Sequence, residues 1–429
     1  MRLSYGKTFV LGLGFFSISL SWSIYNSYVP IFLSALLKDV AYRTTLIGII
    51  MTLDNIAAIT LQPYFGALSD RTWTRIGRRM PFLAAGVPVA AVFFALIPVM
   101  RFALAEMIPV IVVMNVAMTA FRAPTVALMP DITPSPLRSK ANGIINFMGG
   151  LGALLAFFAF SQLFRMNPSL PFVVTSTLMI VILLVLLKTI HEPRDAGGTG
   201  GGAGSGSGGG NERSVGIMRA MGEVLADRDK SALCLLLAIF FWFVGWSGVE
   251  ALFTLYGVEV WGMSPATASF VLGFFSLSFL VFAIPSGFIA TAVGRRRTIL
   301  AGIVGLSLML LAMTFARPGA TLTGLLLVGG IAWALININS YPMVVDMTSA
   351  AKIGAYTGLY YFFSALAAIV APPVFGWFMD VLGKQVLFMC AFVSFAVAFC
   401  LMLGVKRGEA ARTAPPAQEA AGAPVGARL

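Results

Sequence analysis

The sequence predicts an all-α membrane protein with twelve transmembrane helices in two six-helix bundles. Hydrophobic residues make up 59% of the 429 residues and charged residues only 11%, against roughly 25% charged in soluble domains, and the mean hydropathy is +0.91. The apolar residues form continuous runs of about 20, the length that a helix needs to cross a bilayer. They do not alternate with polar residues, as they would in the strands of a membrane barrel.

The apolar runs follow one another along the chain in two sets of six. They lie near 8–33, 44–68, 82–100, 107–130, 141–164, 170–188, 232–257, 266–291, 298–316, 321–345, 353–378 and 385–405. The stretch "DAGGTGGGAGSGSGGGN" at 195–211 separates the sets and has the composition of a flexible linker. We therefore expect a first bundle at 1–190, a cytoplasmic linker at 191–230, a second bundle at 231–407 and a disordered cytoplasmic tail at 408–429.

The positive charges are distributed unevenly between the two sides of the predicted membrane. The formal net charge is +12. If successive runs cross the membrane in alternating directions, 22 of the 29 Lys and Arg residues lie on the same side of the membrane as the N-terminus. Because cytoplasmic loops are enriched in Lys and Arg, both termini are predicted to be cytoplasmic. The basic charge thus reports topology, and no nucleic-acid partner is expected.

The sequence offers no constellation for catalysis or metal binding. The three cysteines lie inside apolar runs and the single histidine, His191, follows the sixth run, so a disulfide framework or a metal site is not expected. No phosphate-binding loop or nucleophile motif is present. The chain is predicted not to be an enzyme and to need no cofactor.

A basic motif recurs at the end of the second run of each half. Pro63 and Gly66 precede "GRR" at 77–79, and Pro285 and Gly287 precede "GRRR" at 294–297. The fourth run of each half also closes similarly, in "RAPTVALMPD" ending at 131 and in "SYPMVVDM" at 340–347. Such parallel duplication around a cytoplasmic loop resembles the major facilitator superfamily.

The resemblance implies that this motif belongs to a cytoplasmic gate, which opens when the two bundles rock. The alternative is that the arginines only anchor the loops at anionic headgroups. The residues predicted to form the gate are Gly66, Asp70, Arg71, Arg75, Gly77, Arg78, Arg79, Asp131, Arg138 and Asp346.

Within this superfamily, "QPYFGALSDRTWTRIGRRMPF" at 62–82 and "FRAPTVALMPDITPSPLRSKANG" at 121–143 resemble the glycoside–pentoside–hexuronide group, which includes plant sucrose–proton symporters and their bacterial relatives. This resemblance implies monomeric proton-coupled sugar symport in a bacterial inner membrane. Asn26 stands where plant members carry an acid. In the second span, where sodium-coupled relatives carry two aspartates, this chain has only Asp54. Those relatives also carry a lysine within the eleventh span, whereas Lys352 here only precedes that run. Both differences favour protons over sodium as the coupled ion.

Two charges fall near the middle of predicted spans, where ionisable residues are rare and usually functional. Asp54 lies about 15 Å from the outer end of the second span and Arg122 roughly 22 Å down the fourth, at 1.5 Å per residue. We expect Asp54 to bind the proton and Arg122 to sense its charge. The alternative is a structural ion pair that joins two helices.

Polar and aromatic side chains at helical spacing predict a central cavity for a neutral polyol. Trp242, Trp246 and Glu250 are four residues apart and suit stacking and hydrogen bonding to a sugar, although an interfacial acid in an aromatic belt would share this pattern. Other polar pairs could instead join helices. The predicted substrate-binding residues are Trp22, Tyr25, Asn26, Asn115, Arg122, Asn146, Trp246, Glu250, Asn337 and Tyr360.

The sequence leaves three functions open. The first is a sugar–proton symporter that works by alternating access, with sugar, protons and membrane lipid as its partners. The second is a proton-driven exporter of drugs or amphiphiles, for which an isolated acid such as Asp54 is also suited. The third is a non-transporting membrane receptor, or an enzyme with its site inside the bundle.

Overall fold

The structure is a computed structural model that describes residues 4–133, 137–190, 192, 219–348 and 352–408. The predicted linker at 195–211 and the predicted tail after 408 lie outside the described residues. The helices of the first half are α1 (Tyr5–Leu36), α2 (Arg43–Met51), α3 (Leu53–Arg71), α4 (Met80–Leu96), α5 (Leu104–Ile132), α6 (Arg138–Met166) and α7 (Leu170–Thr189). Those of the second half are α8 (Ser231–Glu259), α9 (Pro265–Val293), α10 (Arg295–Phe315), α11 (Ala320–Val345), α12 (Ile353–Leu382) and α13 (Leu387–Leu403), the last preceded by a 3-10 turn at Lys384–Val386.

The described residues contain 11 helices that are long and apolar enough to cross a membrane. In that number α2 and α3 count as one span, Arg43–Arg71, and α13 is counted together with the turn before it. The remaining apolar helix, α4, has 17 residues and is shorter. The prediction of an all-helical, multi-pass membrane protein is therefore confirmed.

The second span is interrupted near its middle, which the sequence did not predict. Helix α2 ends at Met51 and α3 begins at Leu53, with Thr52 between them. The Thr52 hydroxyl donates to the Ile49 carbonyl at 2.8 Å, a local bond that competes with the helical ladder. The interruption places Asp54 in the first turn of α3.

The helices of each half pack mainly within that half. In the first half α1 packs on α6, and both α3 and α4 pack on α5; in the second half α9 and α10 pack on α11, and α12 and α13 on α8. Small residues allow close approach, since Gly152 meets the backbone of Phe16 and Gly302 that of Ala332. The two halves meet through α2 with α12, α6 with α9, and α1 with α8.

Candidate functional site

Charged side chains from both halves come together near the interruption of the second span. The Asp54 carboxylate lies within electrostatic range of the Arg122 guanidinium on α5 and of the Glu250 carboxylate on α8. All three residues are partly exposed, and none forms a direct ion pair with another described residue. Asp54 accepts hydrogen bonds from the Asn55 backbone N–H at 2.6 Å and from its amide at 2.8 Å. Asp54 thus has one cation and one further carboxylate within range, and with both acids ionised the three side chains have a net charge of −1.

Neighbouring polar side chains have unused hydrogen-bonding capacity. Tyr25 on α1 lies close to Asp54 and to Asn115 on α5. The Tyr25 hydroxyl, both polar atoms of the Asn115 amide and the Trp22 indole N–H are buried without a hydrogen-bond partner in the described chain. Buried polar groups are normally paired, so these atoms are available to a ligand or to water. We call Tyr25, Asp54, Asn115, Arg122 and Glu250 the central polar cluster.

The aromatic residues of the second half close on each other. Trp246 stacks on Phe275 with a ring-centroid distance of 4.5 Å and on Trp333 at 4.9 Å. We predicted that Trp246 would offer a ring face to a sugar. In this structure Phe275 and Trp333 lie against the ring, so a sugar would have to displace one of them to stack there, and the role of Trp246 stays a prediction. Its indole instead lies beside Glu250, next to a small cavity of about 20 Å³ that they help to line.

The other predicted substrate residues are more scattered. Asn146 is exposed, Asn26 and Asn337 are partly exposed, and none of the three has a side-chain hydrogen bond within the described ranges. Tyr360 is buried, and its hydroxyl lies 3.2 Å from that of Ser340. The structure therefore brings Tyr25, Asp54, Asn115, Arg122 and Glu250 together, whereas no hydrogen bond or ion pair among the described residues links these four to them.

The predicted gate motif forms a compact ion-pair network in the first half. Asp131 at the end of α5 accepts from Arg78 at 2.6 Å and from Arg79 Nε at 3.0 Å. Arg79 also pairs with Asp70 and bonds Ser69, and its guanidinium is only 4% exposed. The network therefore links the loop after α3 to the end of α5.

The remaining predicted gate residues fall into two groups. The Gly66 carbonyl accepts from Arg79 at 3.4 Å, and Arg138 donates to the carbonyls of Pro130 and Thr133, so both support the network. Arg71 and Arg75 are exposed and form no ion pair with any described residue.

Glu192, which sequence reasoning missed, completes this network. Its carboxylate accepts from the backbone N–H groups of Arg78 and Arg79 at 2.9 Å each and of Met80 at 3.0 Å. It thereby supplies a charged cap to the N-terminus of α4, whose own N-cap residue provides none. Gly77, with φ +118°, turns the loop directly against Glu192. The only sequence signal for Glu192 was its position just after the sixth span, on the same predicted membrane side as the gate motif.

The second half repeats the arrangement in simpler form. Gly294 has φ +102°, and Arg295 after it pairs with Asp346 and donates to the Pro342 carbonyl at 3.2 Å. Asp346 follows the end of α11, as Asp131 lies at the end of α5. The repeat that the sequence predicted is therefore present in the contacts. We call the end of the molecule with these two networks the loop end.

At the opposite end, polar contacts join the two halves to each other. Glu259 at the end of α8 accepts two bonds from Arg43 at 2.9 Å and one from Ser34 at 2.6 Å, and it pairs with Lys384. Arg43 and Ser34 belong to the first half, so Glu259 fixes one half to the other. We call this end the closed end.

A second carboxylate of the closed end caps a helix of the other half. Asp380, near the end of α12, accepts from the backbone N–H groups of Thr44 at 3.1 Å and Thr45 at 2.8 Å, and from the Thr45 hydroxyl at 2.8 Å. Tyr42, the N-cap residue of α2, provides no side-chain cap, so Asp380 replaces it. Below this cap, glycines bring the backbones of α2 and α12 together, with Gly376 against Thr44 and Gly48 against Pro372.

The closed end was not predicted from the sequence. Two carboxylates that end spans on this side, Glu259 and Asp380, were the available signal.

Solved structures with the same architecture share little sequence with this chain. A nucleoside transporter, NupG, is 15% identical, with 93% of this chain and 99% of that chain covered and a TM-score of 0.70. A D-xylose–proton symporter is 16% identical, with 94% and 97% covered and a TM-score of 0.71. A bacterial homologue of the human lysosomal transporter Spinster, solved inward-facing and unoccupied, is 12% identical, with 94% and 95% covered and a TM-score of 0.67.

At these identities the three structures establish the fold alone. No curated protein sequence matches this chain significantly. The family model of the Major Facilitator Superfamily matches residues 11–264 and 258–428, which together cover almost all of the chain. This match over both halves shows that the chain belongs to the Major Facilitator Superfamily and is a transporter of that superfamily.

Proposed function

We propose that this transporter is a proton-coupled sugar symporter of the glycoside–pentoside–hexuronide group. The observation that carries the proposal is the central polar cluster, in which Asp54, Arg122 and Glu250 from both halves meet beside unpartnered Tyr25 and Asn115. Hydroxyl and amide groups suit a neutral polyol, because they hydrogen-bond it without strong Coulomb attraction. One structural neighbour is a D-xylose–proton symporter, which accords with this choice.

The charge balance of the cluster explains why a proton would be the coupled ion. Two carboxylates and one guanidinium leave one negative charge, and uncompensated charge in a low-dielectric region is costly. A proton on Asp54 would neutralise the cluster, and sugar hydroxyls would then occupy Tyr25 and Asn115. Each ligand thereby improves the site for the other, which is the requirement for symport.

The membrane placement is also part of this proposal. We place α4 (Met80–Leu96) as the twelfth span, both termini in the cytoplasm and the monomer in a bacterial inner membrane, with a bundle at 1–190, a linker at 191–230, a bundle at 231–407 and a tail at 408–429. The loop end is then cytoplasmic and the closed end external. The structure accordingly corresponds to a state in which the outer entrance is shut, and transport requires the contacts of the closed end to break.

The test is uptake by purified protein in proteoliposomes. One proton moving through 100 mV supplies about 2.3 kcal/mol, enough for a sugar gradient approaching fifty-fold. We expect a pH gradient to drive accumulation of one sugar from a labelled panel. We also expect Asp54→Asn to lose accumulation while it still equilibrates the sugar. Asp39→Asn, an exposed aspartate before α2, is the matched control and should accumulate sugar normally.

Two results would overturn the proposal. Outward movement of a dye under the same gradient, with no sugar uptake, would identify a drug or amphiphile exporter. No movement of either solute would favour a non-transporting receptor. Full accumulation by Asp54→Asn would leave a sugar transporter but remove Asp54 as the coupling residue.

A further inference from the structure

A lipid-facing groove runs along the outside of the first half between α3 and α4. It has a volume of about 400 Å³ and is floored by α5. Phe65 on α3, Val89 on α4 and Val116 on α5 contribute to an almost entirely apolar lining, and Thr72 lies at one end of the groove. This groove is separate from the central polar cluster, because none of that cluster's residues lines it.

Small residues explain why the groove exists. Helices α3 and α4 each pack on α5, and Gly86 on α4 lies directly against Phe121 and Ala117 of α5. Ala85 and Ala120 leave the space between the helices unfilled. On α4 the lining extends from Pro81 to Val89, which is roughly 12 Å at 1.5 Å per residue. That length approaches the depth of one leaflet, about half of a 30 Å hydrocarbon core.

Two cations stand at the end of the groove where Thr72 lies. Arg71 and Arg75 flank it along the chain, are exposed, and form no ion pair with described residues. In contrast, Arg78 and Arg79 of the same loop are held by Asp131. Trp73, between the two free arginines, is 47% exposed, as is typical of aromatic residues at a membrane surface.

We propose that the groove binds one anionic phospholipid, with an acyl chain between α3 and α4 and the phosphate at Arg71 and Arg75. The apolar lining matches an acyl chain, and the guanidinium groups match a phosphate, which arginine recognises through several N–H donors. The lipid would come from the leaflet that meets the loop end, an assignment that rests on the membrane placement proposed above. A bound lipid ties α3 to α4 and thereby stabilises the first half.

The test is a thermal melt of the full chain in detergent, with phosphatidylglycerol or phosphatidylcholine titrated in. Neither substrate nor an ion gradient is needed, so the outcome is independent of the sugar and proton assignments. We expect phosphatidylglycerol to raise the melting temperature at concentrations where phosphatidylcholine does not. The double variant Arg71→Gln/Arg75→Gln should weaken the phosphatidylglycerol response roughly thirtyfold in concentration, since each arginine near an anionic surface contributes about 1 kcal/mol.

Two further variants separate the acyl chain from the headgroup. Ala85→Phe fills the groove without removing charge and should abolish the phosphatidylglycerol response. Arg165→Gln/Arg317→Gln removes the same charge from exposed positions at the other end of the molecule and should leave the response intact. Equal responses to both lipids, or a response of Arg71→Gln/Arg75→Gln at the same phosphatidylglycerol concentration as the parent, would overturn the proposal. Stabilisation by inorganic phosphate that persists in Ala85→Phe would show an anion site without a lipid, which also contradicts it.

Discussion

The two ends of the molecule use charged residues in opposite ways. At the loop end the ion pairs lie within one half or the other, such as Arg79 with Asp131 and Arg295 with Asp346. At the closed end Glu259 and Asp380 of the second half bind partners in the first half. The loop-end networks can therefore persist while the halves move, whereas the contacts of the closed end must break when that end opens.

The difference also concerns the helix backbone. Below the carboxylates of the closed end, Gly48 and Gly376 allow α2 and α12 to meet backbone to backbone, so closure depends on steric fit as well as on charge. The loop end relies on carboxylates and positive-φ glycines, which shape each loop individually. Substitutions at the closed end should accordingly shift the conformational equilibrium between open and closed molecules. Substitutions at the loop end should instead lower the stability of one half.

The largest effect is expected from Gly376→Leu. A leucine there meets the backbone of Thr44, which cannot yield, so the closed end cannot shut and transport should be lost. Opening can be read from labelling of Ser269→Cys in a cysteine-free background. Ser269 is buried against Ser27 of the other half, with 3.1 Å between their hydroxyl oxygens, and should react with an impermeant maleimide only when the halves separate.

The matched control for that substitution is Gly324→Leu. Gly324 on α11 is exposed and has open space around it, so leucine should fit and both transport and labelling should stay normal. Normal transport in Gly376→Leu would contradict the account of the closed end.

Asp131→Asn should cost the most stability among the charge substitutions. It removes the carboxylate that Arg78 and Arg79 share and leaves Arg79, which is 4% exposed, with Asp70 as its remaining carboxylate partner among the described residues. Complete loss of a buried pair costs about 3–5 kcal/mol, which is the upper bound here. We expect a lower melting temperature and unchanged labelling of Ser269→Cys. Asp346→Asn should cost less, since Arg295 and Asp346 are more exposed, at 24% and 35%. An equal loss in both variants would argue against burial as the cause.

Glu259→Gln should shift the conformational equilibrium with little loss of stability. It removes the charge that holds Arg43 and Lys384. A change of about 1.5 kcal/mol, the lower end of the range for charged hydrogen bonds, would shift the ratio of open to closed molecules somewhat more than tenfold. Labelling of Ser269→Cys should rise accordingly. Glu106→Gln, an exposed acid at the start of α5, is the control, and labelling that rises equally in it would point to a general charge effect.

The smallest effect is expected from Glu223→Gln. Glu223, in the helical residues 219–226, accepts a hydrogen bond from Lys352 at 2.7 Å, and this bond lowers the pKa of the carboxyl below its ordinary 4.5. A pKa lowered by folding means that the contact stabilises the protein above about pH 4.5 and that the stabilisation disappears as the pH falls through the folded pKa. The melting temperatures of variant and parent should differ slightly at neutral pH and low salt, and converge in acid or at high salt. A difference that persists in acid would contradict this origin.

The sequence predicted which residues lie near each other in two cases, where a motif is repeated and where helix rise gives the position of a residue along its span. The duplicated motifs predicted that Asp131 and Asp346 would have equivalent places, and helix rise predicted that Asp54 and Arg122 would lie near each other, as they do. It could not predict that Glu259 contacts Arg43 or that Asp380 caps α2, because residues more than 200 positions apart leave no periodic pattern. It also could not predict that Phe275 and Trp333 cover Trp246.

By itself the sequence determined the membrane class and the division into similar halves, and it predicted a depth for each charge. Hydropathy, repeat spacing and helix rise are local or additive properties, so they can be read along the chain. The tertiary structure alone decided which end is closed, that Glu250 joins Asp54 and Arg122, and that Thr52 interrupts the second span. The first two features depend on how the two halves are placed against each other, which involves close backbone packing and long-range carboxylate contacts.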